Sequence, residues 1–99
     1  MCVKIGFELV SCQTVPADGY HDESLAQDRI GLYCSRVKAE QHVPQNERLL
    51  TDEEYKQWLH HDDLSDGYYV RERLLIMPDA RSRKWYVISA EPDEARFSE

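Results

Sequence analysis

Long hydrophobic runs are missing from this 99-residue chain. No stretch approaches the roughly 20 apolar residues that cross a bilayer, which sets aside a membrane-spanning helix. The opening MCVKIGFELV alternates apolar and polar residues and has no basic region leading into an apolar one, so it does not read as a secretory signal. Cysteine is scarce and odd in number: Cys2, Cys12 and Cys34. On one extended strand Cys2 and Cys12 stand about 30 Å apart, beyond disulfide reach. These features point to a reducing, cytoplasmic compartment. Glycine is scattered at positions 6, 19, 31 and 67, so there is no glycine-rich loop to cradle phosphates. Positive charge is also short, with 12 basic residues against 19 acidic ones and a net charge of −7. Such a chain avoids bulk nucleic acid and membrane surfaces and is drawn to basic partners, unless the charge serves solubility alone. Internal repeats, linkers and low-complexity segments are absent, which gives one domain over residues 1–99.

What remains is enough for a modest core: 41% of residues are hydrophobic and 10% aromatic. Val3, Ile5, Phe7 and Leu9 fall on one side of a strand over Val3–Val10, and Cys2, Lys4, Gly6 and Glu8 on the other. V-P-A-D-G-Y at 15–20 is turn chemistry, followed by a loop to Arg29 with a helical turn over Glu23–Gln27. Ile30–Cys34 is a second strand, turning at Ser35 into a helix from Arg36 to Val43 that ends before Pro44. Ile30, Leu32, Ala39 and Val43 read as the scaffold of that corner. Thr51 with Glu54 is a capping box, Leu50 and Tyr55 a hydrophobic staple, and Tyr55, Trp58 and Leu59 the apolar stripe of a second helix. Strands over Tyr68–Met77 and Trp85–Ala90 flank a turn with a basic tip, and residues 91–99 form an acidic tail expected to fray. The order is ββααββ: an α+β fold with a four-stranded antiparallel sheet and both helices on one face.

Four groups of residues invite chemistry. His60-His61-Asp62-Asp63 offers nitrogen and carboxylate donors for zinc or manganese, and His60, His61 and Asp63 would serve a metal-dependent enzyme. Neighbouring helical residues point about 100° apart, however, so the competing reading is a polar helix end, and we expect no metal or other cofactor. Cys34 or Cys12 with a histidine would make a nucleophile pair, but Cys34 sits in an apolar strand and reads as a small buried hydrophobe. Arg71, Arg73, Arg81, Arg83 and Lys84, interleaved with Trp85 and other aromatics, form a basic patch in a segment, 70–90, that carries five basic and two acidic residues. Basic side chains among aromatics hold phosphates and stack bases, which makes a nucleic-acid or nucleotide binder the alternative reading. Asp52, Glu53, Glu54, Asp62, Asp63 and Asp66 form the acidic counterpart. On one surface they would imitate a nucleic-acid backbone and occupy a basic groove.

IGLYCSRVKAE (Ile30–Glu40) resembles a pattern of small, largely uncharacterised bacterial and phage α+β proteins, in which a strand I-G-x-Y-x-S runs into a helix x-x-x-A-E. GYYVRERLL (Gly67–Leu75) resembles their later strand of alternating aromatic and charged residues. The motif specifies a strand–cap–helix corner and no chemistry, and the chain departs from it in its second helix and basic hairpin. By type, the acidity and the lack of a catalytic motif resemble phage-encoded inhibitors of bacterial defence, anti-CRISPR proteins included. The resemblance implies a non-enzymatic module that blocks a nucleic-acid-binding site on a bacterial protein or nucleoprotein complex with a basic surface.

Overall fold

The computed structural model describes residues 1–17, 19–20, 24–60, 66–88, 93–95 and 97–98. In chain order the elements are β1 (Cys2–Val15), β2 (Ser24–Tyr33), α1 (Arg36–Gln41), α2 (Asp52–Leu59), β3 (Gly67–Met77), β4 (Trp85–Val87), β5 (Asp93–Ala95) and β6 (Phe97–Ser98). They form one small α+β domain, with a sheet ordered β5-β4-β3-β1-β2-β6. The four antiparallel strands expected from the sequence are its centre, and β1 is the spine, pairing with β2 on one side and β3 on the other.

β1 and β2 are longer than the sequence pattern suggests. They pair from Phe7↔Tyr33 to Val15↔Ser24, so residues 24–27, expected in a loop and a helical turn, are strand. Leu25 explains the extension, because it packs against the buried cluster of Val10, Cys12, Leu50 and Trp58, and that burial rewards continued pairing. The register slips between Leu9, opposite Gly31, and Val10, opposite Arg29, which leaves Ile30 without a partner in a bulge. Ile30 is therefore 50% exposed and not part of the scaffold, whereas Leu32 and Ala39 are fully buried as expected.

Strand alternation sorts the core onto two faces. On the first, Leu9, Tyr33 and Val70 pack with Ala39 of α1. On the second, Val10 and Cys12 pack with Leu50 and with Trp58 of α2. The two helices thus lie on opposite faces of the sheet, and the expectation of one shared face is corrected. The reason is in β1, which buries every residue from Glu8 to Cys12. A strand apolar on both sides needs a cover on each.

The helices start where their local signals say, but α1 ends at Gln41, short of the expected Val43, and Leu59 of the expected α2 stripe is 42% exposed. Ser35 Oγ accepts from the Lys38 N–H at 3.1 Å, and Thr51 and Glu54 complete the capping box at 3.2 and 3.1 Å. The segment before α2 docks on the start of β3: the Tyr68 N–H donates to Arg48 O at 2.8 Å and the Leu50 N–H to Tyr68 O at 2.7 Å. Gly67 permits that approach, since a Cβ there would lie 2.7 Å from Arg48 O.

At the other end the sheet curls. β5 pairs with β4 at one edge and β6 with β2 at the opposite edge. Only residue 96 separates the two strands, so the edges are brought within about 7 Å of chain. Inside the curl, on the second face, Leu32, Leu75 and Val87 are buried with Trp85 and Phe97 against them. Residues 93–95 and 97–98 of the segment expected to fray are thus paired strand, and the tail covers edges that would otherwise stand open.

Candidate functional site

The acidic residues of α2 are placed by its capping chemistry, and two carry structural contacts. Asp52 accepts the Tyr69 hydroxyl at 2.6 Å, and Glu54 closes the capping box and pairs with Arg48. Glu53 is exposed on the same turn. Asp66 accepts the Thr14 N–H at 2.8 Å, which ties the start of β3 to β1. Asp62, Asp63 and His61 lie outside the described residues. His60 caps α2, its N–H donating to Gln57 O and Lys56 O. Among the described residues no three His, Cys, Asp or Glu side chains converge to hold a metal.

Tyr69 is fixed from two sides. Its ring stacks on Tyr55 with centroids 4.0 Å apart and planes 2° from parallel, and Tyr55 accepts from Gln27 Nε2 at 2.6 Å. Burial, then the hydrogen bond to Asp52 and the charge of that carboxylate, push the Tyr69 phenol up to about 12. A shallow cleft between the helices is bounded by Arg36, Glu40, Asp52 and Tyr69, but Arg36 already donates to Val70 O at 3.3 Å.

The basic candidates separate into two groups. Arg81, Arg83 and Lys84 are exposed on the β3–β4 turn, where Arg83 adopts a left-handed φ of 54°. Arg71 and Arg73 point to the second face, toward Glu8, a residue only 1% exposed. The Glu8 carboxylate accepts from Arg29 Nε on one oxygen and from Arg71 Nε at 2.5 Å on the other, and Arg73 Nε lies 3.8 Å away. Burial alone would raise the Glu8 pKa. The hydrogen bonds from Arg71 and Arg29 and the charges of both guanidinium groups outweigh it and hold the carboxyl below its ordinary value. Trp85 is on this face too, with Lys4 Nζ 4.3 Å from its ring and 3.5 Å from the Phe97 ring.

The cysteines also differ from expectation. Cys34 follows β2 and is exposed, whereas Cys12 is buried, and burial raises its thiol pKa. No cysteine pairs in a disulfide.

The surface that sequence reasoning missed is on the first face, beyond α1. Val3 pairs opposite Ile76 and Ile5 opposite Leu74, and Ile88 is hydrogen-bonded beside Leu74 at 2.9 Å. Val3, Ile5, Leu74 and Ile88 are 52%, 56%, 46% and 46% exposed. A contiguous aliphatic patch on a hydrogen-bonded sheet marks an interaction site more often than a defect. The pattern Val3-Ile5-Phe7-Leu9 reads as core, and nothing local distinguishes its covered half from its bare half. The shortness of the first helix was the available signal.

No family model, curated protein or solved structure matches this chain.

Proposed function

We propose that this protein is a binding module, not an enzyme, and that it engages another protein through the bare half of its sheet. The observation that carries this reading is the in-register patch of Val3, Ile5, Leu74 and Ile88. Four half-exposed aliphatic side chains cost solubility unless something covers them, and a rigid sheet presents them without further ordering. Edge-to-edge addition of a strand is a poorer route at this end, because β5 and β6 occupy the edges of β4 and β2.

Charge argues for the occupant. Two copies would bring together chains of −7 each, whereas a basic partner gains long-range attraction. Glu72, on the same face between α1 and the patch, is 61% exposed but pairs with Arg36 at 3.8 Å, so the attraction rests on the net charge and not on this rim residue. The partner class we assign is therefore a basic bacterial protein, of the sort that binds nucleic acid, and the chain would act as its inhibitor. Glu53 and the other acids of α2 belong to this reading as contributors to approach.

The test is expression in a bacterial host of wild type and of the double variant Ile5→Glu/Leu74→Glu. The expected result is a basic protein recovered stoichiometrically with wild type and lost with the variant, while sedimentation shows the isolated chain to be monomeric. Equal recovery with both proteins, or a stable homodimer that the substitutions dissolve, would overturn it. Both substituted positions are about half exposed, so near-wild-type circular dichroism is expected.

A further inference from the structure

The second face of the sheet carries more positive charge than its buried carboxylate uses. Glu8 has two oxygens, and each takes one arginine through Nε: Arg29 on Oε2 and Arg71 on Oε1. The two Nη groups of Arg71 make no hydrogen bond among the described residues. Arg73 makes none among the described residues; its Nε is buried without an acceptor, 3.8 Å from Glu8. A buried donor without an acceptor is unusual and calls for an explanation. Arg29 has a further engagement besides Glu8, so the excess charge lies with Arg71 and Arg73.

Arg71 and Arg73 are two residues apart on β3, on the same face and about 7 Å apart along the strand. Their side chains are 30% and 29% exposed, open enough to be reached and enclosed enough for charge to act. Lys4, opposite Leu75 in the neighbouring strand, adds a third positive charge on that face. Two guanidinium forks side by side suit a tetrahedral dianion, whose several oxygens serve both. A carboxylate has two coplanar oxygens and is satisfied by one fork.

We propose that Arg71 and Arg73 bind a phosphoryl oxyanion, either free phosphate or the terminal group of a phosphomonoester. In this site Glu8 is no ligand. It holds Arg71 by Nε and so keeps the Nη edge available. A long polyanion is disfavoured by the net charge of −7, whereas a small anion senses chiefly the local excess. This site is on the opposite face from the aliphatic patch and stands or falls independently of it.

The experiment is a titration of the isotope-labelled full chain with inorganic phosphate and, in a second arm, with phenyl phosphate, at ionic strength held constant with chloride. Saturable shifts of the arginine Nε–Hε resonances of Arg71 and Arg73 are expected in at least one arm, and the tighter arm identifies the source of the phosphoryl group. Arg73→Gln, which removes a side chain that makes no hydrogen bond among the described residues, should weaken binding by about tenfold or more. Shifts that chloride reproduces, saturation only at resonances remote from β3, or an unchanged affinity in Arg73→Gln would overturn the proposal. Should that variant fail to fold, the wild-type resonances decide alone.

Discussion

Replacing Glu8 by glutamine keeps the side chain's volume and deletes its charge. The carboxylate is 1% exposed and accepts from Arg29 and Arg71 on separate oxygens. An amide offers one acceptor oxygen in place of two and turns an NH2 group toward a guanidinium that needs an acceptor. Removing one partner of a buried ion pair costs about 3–5 kcal/mol. The three arginines are 24–30% exposed and recover some hydration, so the expected loss at pH 7 is at the lower end, about 3 kcal/mol. With an m value of about 1–1.5 kcal/mol per M urea for a chain of this size, the urea midpoint should fall by about 2–3 M.

The same interaction fixes the pH dependence. The folded-state pKa of Glu8 is depressed, so its contribution is complete above the unfolded value of about 4.3. It is then lost as the pH falls through the folded value. The difference between wild type and Glu8→Gln should accordingly be constant from pH 7 to about 5 and shrink below about pH 4.3, because wild type approaches the neutral variant. Urea titrations at pH 7, 5, 4 and 3 measure this directly. A difference under about 0.5 kcal/mol at pH 7 would show that surrounding water already satisfies the arginines. A difference of equal size at every pH would show that the amide disturbs packing and that charge is not the cause.

Two further outcomes follow from geometry. A Cβ on Gly6 would lie 2.6 Å from Leu75 Cδ1, and Leu75 is fully buried between Val87 and Phe97; Gly6→Ala should therefore cost about 1–3 kcal/mol in chemical denaturation, and a neutral result would mean that the curl relaxes freely. An ultraviolet titration should find one tyrosine ionising near 12, and Asp52→Asn should lower it part of the way, since burial, the larger cause, remains. Because the folded pKa of Tyr69 is raised, its share of stability is complete below about pH 10 and is lost as the pH rises toward 12; an unaltered titration in Asp52→Asn would refute the assignment to that carboxylate.

What could be read from the sequence was what neighbouring residues decide among themselves. The cap at Ser35, the capping box of Thr51 and Glu54 and the alternation of β3 are short-range devices, and each forms where the pattern puts it. The pattern also puts Glu8 opposite the Val3-Ile5-Phe7-Leu9 side of β1, and Arg71 and Arg73 opposite the Val70-Leu74-Ile76 side of β3. It does not say that this polar side is the inside of a curl. Glu8 and Arg71 are 63 positions apart, and their meeting depends on pairing β1 with β3. The cysteines fail for the same reason: Cys34 is apolar in its surroundings in sequence but follows the end of its strand, whereas Cys12 is buried by a helix that arrives forty positions later.

The bare patch is a consequence of lengths. β1 has 14 residues, roughly 46 Å of strand at about 3.3 Å each, in a molecule 49 Å long. α1 has six residues and α2 eight, or about 9 and 12 Å of helix, so neither can cover more than part of its face. On the second face the remainder is closed by the tail, with Phe97 and Trp85 over Leu32 and Leu75. On the first face α1 covers Leu9, Tyr33 and Val70 and stops, and Val3, Ile5, Leu74 and Ile88 are left over. α1 stops at Gln41 with His42 as its C-cap, and six residues of helix do not extend past Leu9, Tyr33 and Val70 to reach them.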